Sequence, residues 1–132
     1  MPRATGTFEV TRWDATPYDD RDGLALARVE VGKTFHGDVE GTAEAALTTA
    51  STPVEGSMAY VAIERMTVSV HGRSGVFLLQ HGAAMERGRA EGLWVTVVPD
   101  SGSGELAGIS GRMWISVNED GGHDYALEYE LP

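Results

Sequence analysis

The segment "SGSGELAGISG", residues 101–111, decides between two fold classes, because its glycines suit either a nucleotide-binding loop or a chain bend. Gly102, Gly104 and Ala107 match the spacing of the dinucleotide-binding fingerprint, which requires a helix directly after the loop. Two further glycines follow by residue 111, and each interior glycine costs a helix about 1 kcal/mol relative to alanine. The strand-like "RMWISV" then begins without room for a parallel crossover. The segment therefore predicts a bend with at most one helical turn, and we reject nucleotide binding.

Around this bend, the apolar residues recur with a period of two, which is typical of strands that bury one face. In "DVEGTAEAALT", residues 38–48, Val39 and Leu47 share a face with three small residues, while the acidic residues lie on the other face. No helix of three turns is evident. We predict strands near residues 4–12, 27–36, 38–49, 57–70, 74–85, 89–98, 111–117 and 123–131.

Short turns containing glycine or aspartate separate most of these strands, and such turns join antiparallel neighbours. Eight antiparallel strands in sequence order can remove both open sheet edges by closing into a barrel. The predicted fold is therefore an all-β, single eight-stranded antiparallel up-and-down β-barrel. A β-sandwich of two sheets is the alternative, because turn spacing does not separate the two architectures.

The composition limits the possible partners and compartments. A chain of 132 residues favours a single domain spanning residues 1–132. The formal net charge of −10, with the basic residues scattered, disfavours binding to nucleic acid. The chain has no cysteine, which removes disulfides and thiol catalysis and suits a reducing compartment. With no apolar leader or membrane span evident, we expect a cytoplasmic protein with neither nucleic-acid nor membrane partners.

The glycine-rich bend also carries a family resemblance. "GSGELAGISG" is similar to the bend of allene oxide cyclases and dirigent proteins. Together with "YVAIERMTVSVHGRSGVFLLQHG" (60–82), "VVPDSGSGELAGISGR" (97–112) and "HDYALEYEL" (123–131), it resembles the bacterial domain of unknown function 3224 family. The resemblance implies an allene oxide cyclase-like barrel with a ligand-sized interior and, often, self-association into a homo-oligomer. It carries over no catalytic residue, because the polar pocket residues of plant allene oxide cyclases cannot be matched to positions here.

Three polar residues fall in rows of the predicted strands that are otherwise apolar: Lys33, Glu64 and His81. A buried amine or carboxylate is costly alone, so such groups pair, shift their pKa values or serve a ligand. In a functional interpretation, Glu64 or His81 is a catalytic acid or base, and Lys33 polarises a substrate oxygen. In a structural interpretation, Lys33 and Glu64 form an ion pair and His81 is hydrogen-bonded at a barrel end.

The orientation of the fourth strand remains open from sequence. Glu64 shares its row with apolar residues, but Val61 and Ile63 offer an opposite apolar row that contains Arg65. Aromatic and apolar side chains of the strands are candidates for lining a ligand pocket, although aromatic residues in strands also serve simply as core. The candidate ligand-binding residues are Tyr60, Met66, Phe77, Trp94, Trp114 and Phe35.

The segment "RWDATPYDDRDG", residues 12–23, is predicted to be a long connection because of its proline, glycine and aspartate content. Trp13 and Tyr18 would then either cover a barrel mouth as a lid or pack in an ordinary loop. The segment is not a calcium loop, because aligning Gly23 with the invariant glycine places Tyr18 at the first ligand position, where a carboxylate is needed.

Metal and cofactor sites are not predicted. The four histidines, His36, His71, His81 and His123, show no spacing typical of metal ligands along a helix. Ser74 in "GRSGV" does not fit a nucleophile elbow, because no strand-to-helix turn follows.

Three functions remain open. The first is a barrel that binds one small apolar or aromatic molecule, and the row of small residues Gly41, Ala43 and Ala45 favours room for it. The second is a cofactor-independent cyclase or isomerase that holds a flexible apolar substrate in a dry lumen. The third is a structural or interaction protein with a filled barrel.

Overall fold

The computed structural model has an all-β architecture, as the period-two pattern predicts. It describes residues 1–132, apart from the side chain of residue 91. The strands form a closed antiparallel barrel in which each strand pairs with its sequence neighbours. The elements are β1 (Arg3–Arg21), β2 (Leu24–Gly37), β3 (Val39–Ser51), β4 (Met58–Val70), β5 (Arg73–Glu86), β6 (Arg89–Val97), a 3₁₀ helix (Gly104–Leu106), β7 (Ser110–Val117) and β8 (His123–Glu130).

Pairing between the first and last strands distinguishes the barrel from the sandwich. Ala4 of β1 lies opposite Leu127 of β8, and the two strands are antiparallel. This pairing covers residues 3–8 of β1 and closes the sheet into a barrel there. Tight hairpin turns at residues 22–23, 71–72 and 87–88 have positive φ at both central residues, the geometry that matches the twist of the flanking strands. The predicted up-and-down barrel is confirmed.

Strand β1 is longer than the sequence predicted. It continues to Arg21 and pairs with β2, so the prediction of a long connection over residues 12–23 is wrong. The register between the two strands shifts between Pro17 and Asp19. Such an irregularity accommodates Pro17, because proline has no backbone N–H for a regular ladder. Pairing with β2 therefore outweighs the local turn propensity of this segment.

Trp13 and Tyr18 consequently lie on a strand and not in a loop. Both side chains are exposed, and Trp13 lines the mouth of the cavity described below. The expectation of a loop, whether lid or packed connection, is corrected by this placement.

Alternation along β4 resolves the orientation that the sequence left open. Ala62, Glu64 and Met66 are buried inside the barrel, whereas Val61 and Ile63 are exposed on its outer surface. A strand of one register can bury only one of its two rows. The row that contains Glu64 therefore faces inward.

The glycine-rich bend closes one end of the barrel. Its single 3₁₀ turn carries Leu106, which is fully buried together with Ile109. The backbone here runs very close to β5: a Cβ atom added at Gly75 would lie 2.1 Å from the carbonyl oxygen of Ser103. Only glycine permits this approach. A bend with a single helical turn is what the sequence predicted, and the structure shows in addition that the bend is a hydrophobic plug. No helix among the described residues is long and apolar enough to cross a membrane.

The two ends of the barrel differ in packing. We call the end with the bend and the turn at residues 71–72 the closed end, and the end with the turns at residues 22–23 and 87–88 the open end. The larger cluster of buried apolar side chains fills the closed half, and it includes Phe35, Met66 and Phe77. A smaller cluster around Val29 and Leu47 lies toward the open end.

Candidate functional site

Four polar side chains from three strands meet inside the barrel. Lys33 lies on β2, Glu64 and Tyr60 on β4, and His81 on β5. The register places Ala62 of β4 opposite His81, so His81 falls between Tyr60 and Glu64 on the same inner face. We call Lys33, Glu64, His81 and Tyr60 the polar network.

Strand β3 separates Lys33 from Glu64, and its small side chains allow the two to meet. Ala43 lies opposite Lys33, and Ala45 lies opposite Glu64. Both alanines are buried, and neither side chain extends far enough to stand between the two charged groups. The row of small residues therefore makes room for an ion pair across β3.

The hydrogen bonds of the polar network form a continuous chain. Glu64 Oε1 lies 3.0 Å from Lys33 Nζ and 3.0 Å from His81 Nε2. A carboxylate oxygen only accepts, so both nitrogens donate to it, and Nε2 carries a proton. His81 Nδ1 then accepts the hydroxyl proton of Tyr60, whose oxygen lies 2.9 Å away. A neutral imidazole with its Nε2–H directed at the carboxylate satisfies both contacts of His81.

Burial and neighbouring groups act on the pKa of Glu64 in opposite directions. Burial raises the pKa of this carboxyl, while the hydrogen bond from His81 and the charge of Lys33 lower it, and the net direction is downward. The side chain is 2% exposed. Glu64 is therefore an ionised carboxylate at neutral pH, held by the two donors that face it.

The phenol of Tyr60 has a raised pKa. Burial raises the pKa of the phenol, and the negative charge of Glu64 raises it further. At neutral pH the hydroxyl is protonated and available as a donor. The second carboxylate oxygen, Glu64 Oε2, is buried and has no hydrogen-bond partner among the described residues.

A cavity of about 530 Å³ occupies the open half of the barrel. Lys33, Tyr60 and His81 line it, whereas Glu64 lies behind them. The remaining wall is largely apolar, and every strand of the barrel contributes to it. It includes Val29, Leu47, Ala83, Leu93 and Ile115. The arrangement is an apolar chamber with one polar corner, which is the usual character of a small-molecule site.

Phe8 forms a wall of the cavity that sequence reasoning missed. Its ring stacks on His123 with centroids 4.7 Å apart, and Lys33 Nζ lies 4.8 Å from the centroid of the Phe8 ring. The register places Phe8 opposite both Phe35 and His123. The alternation of β1 could have indicated that Phe8 faces inward, but its proximity to Lys33 depends on the register between β1 and β2.

Three of the predicted ligand-binding residues lie in the closed half. Phe35, Met66 and Phe77 are fully buried in the larger core cluster and do not line the cavity. They face inward, as the alternation of their strands requires, but they lie in the closed half of the barrel, in the same cluster as the buried side chains of the plug. The prediction that they contact a ligand in this cavity is therefore corrected, because they pack in the core beneath it. Of the six predicted ligand-binding residues, Tyr60 alone lines the cavity.

Trp94 and Trp114 lie on the outside of the barrel. Their sequence neighbours Val95 and Met113 are buried inside, so the alternation of each strand directs the two indoles outward. The guanidinium of Arg112 lies 5.8 Å from the centroid of the Trp114 ring. The prediction that these tryptophans line a pocket is wrong.

A second tyrosine, histidine and carboxylate group lies at the closed end. His71 Nδ1 is hydrogen-bonded to the hydroxyl of Tyr129, and His71 Nε2 lies 3.5 Å from Asp38 Oδ2. His71 and Tyr129 border a polar surface depression together with Arg73. In the part of the chain whose side chains are described, no cluster of three or more His, Asp or Glu residues is arranged to hold a metal ion.

Fold and site together define a class: a closed antiparallel β-barrel with an apolar cavity open at one end and a polar corner at its floor. The family described as "Protein of unknown function (DUF3224)" matches residues 4–129, and the chain belongs to this family. The family resemblance predicted from the sequence is thereby confirmed.

One solved structure is similar along the entire chain. It is the crystal structure of a protein with unknown function from the DUF3224 family of Shewanella oneidensis MR-1. The two chains are 38% identical, with a TM-score of 0.87 over 100% of this chain and 98% of that one. The search of curated proteins found no match. The similarity to allene oxide cyclases, the homo-oligomeric state and the cytoplasmic location stay predictions.

Proposed function

We propose that this protein binds one small apolar or aromatic molecule in the open half of its barrel. The observation that carries the proposal is the cavity of about 530 Å³ with Lys33, Tyr60 and His81 at one corner of an apolar wall. Its volume falls within the roughly 300–1,000 Å³ range of small-molecule pockets. A few converging polar groups in such a wall serve to orient a ligand, while the apolar surface supplies the affinity.

A completely filled barrel, the structural alternative, fits this half of the molecule poorly. The side chains that close the barrel are concentrated around the glycine-rich bend. Toward the open end, Trp13, Met58, Met85 and Leu93 border the cavity and remain partly exposed. Exposed apolar side chains around an open chamber are typical of a surface that takes up a partner.

The test is to fill the cavity and measure binding of ethylnaphthalene by equilibrium dialysis. Ala83 lines the cavity, and Ala83→Trp introduces an indole into it. The matched control is Ala46→Trp, because Ala46 is exposed on the outer surface of β3. We expect the wild type and Ala46→Trp to bind the probe and Ala83→Trp to lose it. Equal binding by both variants, or none by the wild type, contradicts the proposal.

A second candidate, a cofactor-independent cyclase or isomerase, is favoured by the chain from Glu64 through His81 to Tyr60. A substrate carbon could lose a proton to the Tyr60 oxygen while the hydroxyl proton of Tyr60 moves to His81 Nδ1. The ionised Glu64 would stabilise the imidazolium that forms. Reversal of both transfers returns a proton to the substrate, so the step needs no cofactor.

This second function is tested by exchange of the methyl protons of acetylnaphthalene in D₂O, followed by NMR. Catalysis predicts faster exchange with the protein than without it, and loss of this acceleration in Tyr60→Phe, with binding retained. The control is Tyr129→Phe, which removes the corresponding hydroxyl at the closed end. If bound acetylnaphthalene exchanges no faster than the free compound, the protein is a binding barrel only.

A further inference from the structure

We propose that the ligand is a neutral molecule whose polar atom is a carbonyl oxygen, and that Lys33 is the specificity-determining residue that receives it. The inference deepens the proposed function and rests on it. Ketones, aldehydes and esters with an apolar or aromatic body form the chemical class. The support comes from the hydrogen bonds and charges that the polar network leaves available to the cavity.

Lys33 has more N–H donors than hydrogen-bond acceptors around it. An ammonium group carries three N–H bonds. One points to Glu64 Oε1 at 3.0 Å, and the face of the Phe8 ring lies 4.8 Å from Nζ. Among the described residues, no second hydrogen-bond acceptor reaches Nζ. Since Lys33 lines the cavity, an N–H that does not bond to Glu64 is available to an acceptor atom of a ligand.

Tyr60 presents a hydrogen-bond acceptor to the cavity, and not a donor. Its hydroxyl proton is committed to His81 Nδ1 at 2.9 Å, so its oxygen offers only lone pairs to the cavity. The ionised Glu64 does not line the cavity. In this state Lys33 is therefore the donor at the polar corner. A ligand oxygen without a proton of its own is satisfied there, whereas an alcohol must also place its proton on Tyr60.

Charge excludes the ionised alternatives. The positive Lys33 and the negative Glu64 balance each other at 3.0 Å, and an imidazole of His81 with its proton on Nε2 alone adds no charge. A bound carboxylate would add a second anion beside Glu64 at the floor of the apolar cavity. A bound amine would add a second cation beside Lys33. Either charge would be buried without a counterion, which costs binding free energy.

A ligand series of matched shape tests this inference by equilibrium dialysis. The probes are acetylnaphthalene, with a neutral carbonyl; ethylnaphthalene, without a polar atom; naphthoate, an anion; and naphthylethylamine, a cation. We expect acetylnaphthalene to bind about tenfold more tightly than ethylnaphthalene, as one hydrogen bond from a charged donor allows. Naphthoate and the amine should bind more weakly than ethylnaphthalene.

The role of Lys33 is tested with the double variant Lys33→Met/Glu64→Gln, which removes both charges together and leaves neither one buried alone. We expect acetylnaphthalene and ethylnaphthalene to bind it with equal affinity. A preference for the ketone that survives in this variant overturns the role of Lys33.

The wild-type series distinguishes failure of this inference from failure of the proposed function. If ethylnaphthalene binds and acetylnaphthalene binds no more tightly, or if naphthoate binds most tightly, the carbonyl assignment is wrong. The proposal of a binding barrel is then still supported. If neither neutral probe binds the wild type, the proposed function itself fails, and the carbonyl assignment fails with it. These outcomes do not depend on whether the double variant folds.

Discussion

The two ends of the barrel carry the same three kinds of side chain in different surroundings. At the open end, the order is Tyr60, His81 and Glu64; at the closed end, it is Tyr129, His71 and Asp38. In both, the tyrosine hydroxyl is bonded to Nδ1 of the histidine, and a carboxylate faces Nε2.

The exposure of the carboxylate and the histidine separates the two groups. The Glu64 and His81 side chains are 2% and 4% exposed, whereas Asp38 and His71 are 44% and 40% exposed. Water screens charges at the closed end, where an ion pair contributes little. At the open end the same contacts lie behind an apolar cavity, where an unpaired charge is costly and a proton has few alternative acceptors. The comparison teaches that burial, more than residue type, determines what such a trio can do.

The largest expected difference between the ends follows removal of the carboxylate. Glu64→Leu leaves Lys33 charged and buried without its partner, and we expect the free energy of unfolding to fall by about 3–5 kcal/mol. The matched change Asp38→Leu removes an exposed carboxylate and should cost about 1 kcal/mol or less. Denaturant titration of both variants measures the difference, and equal losses would remove the distinction between the ends.

Packing supplies the next largest effect. Leu106 is fully buried in the plug of the closed end, and Leu106→Ala should lower the free energy of unfolding by roughly 3 kcal/mol. Leu93→Ala, at the wall of the open cavity, removes a side chain that is already 44% exposed. We expect a loss of about 1 kcal/mol or less there. Thermal unfolding compares the two, and a larger loss for Leu93→Ala would mean that the open end is the better packed one.

The pH dependence of stability sharpens the comparison further. The pKa of Glu64 lies below its ordinary value of 4.5 in the folded protein. Its ionised form therefore stabilises the fold above that value, and this contribution is lost as the pH falls through the lower pKa of the folded state. We expect the stability of the wild type to drop more steeply below a pH of about 4.5 than that of Glu64→Gln. Parallel curves for the two proteins would show that Glu64 is not held as an ion.

How much of this site could be predicted depends on the range of the interactions. Alternation within single strands placed Lys33 and His81 in inward rows, since a strand buries one face whatever its partners are. For Glu64 it left two apolar rows open, because Val61 and Ile63 compete with the row of Glu64. The height of inward side chains inside the barrel depends on register between strands, which no local pattern encodes. Phe35, Met66 and Phe77 are therefore in the predicted rows but at the level of the plug.

The errors at the tryptophans have a different cause. Selecting Trp94 and Trp114 by ring type neglects the alternation of their own strands, whose inward positions are held by Leu93, Val95 and Met113. The pairing of β1 beyond residue 12 was missed for another reason, because a tertiary partner overrode local turn composition.

The smallest expected effect concerns the two tyrosine hydroxyls. Tyr60→Phe and Tyr129→Phe each remove one hydrogen bond to a histidine Nδ1. At the closed end, water can take the place of the hydroxyl on the exposed His71, and the free energy of unfolding should change by less than about 0.5 kcal/mol. His81 is almost fully buried, so Tyr60→Phe should cost about 1 kcal/mol. Denaturant titrations with closely spaced points resolve a difference of this size. If Tyr129→Phe is the more destabilising change, the hydroxyl at the closed end holds the plug in place, and the buried histidine of the open end obtains its hydrogen bond from water inside the cavity.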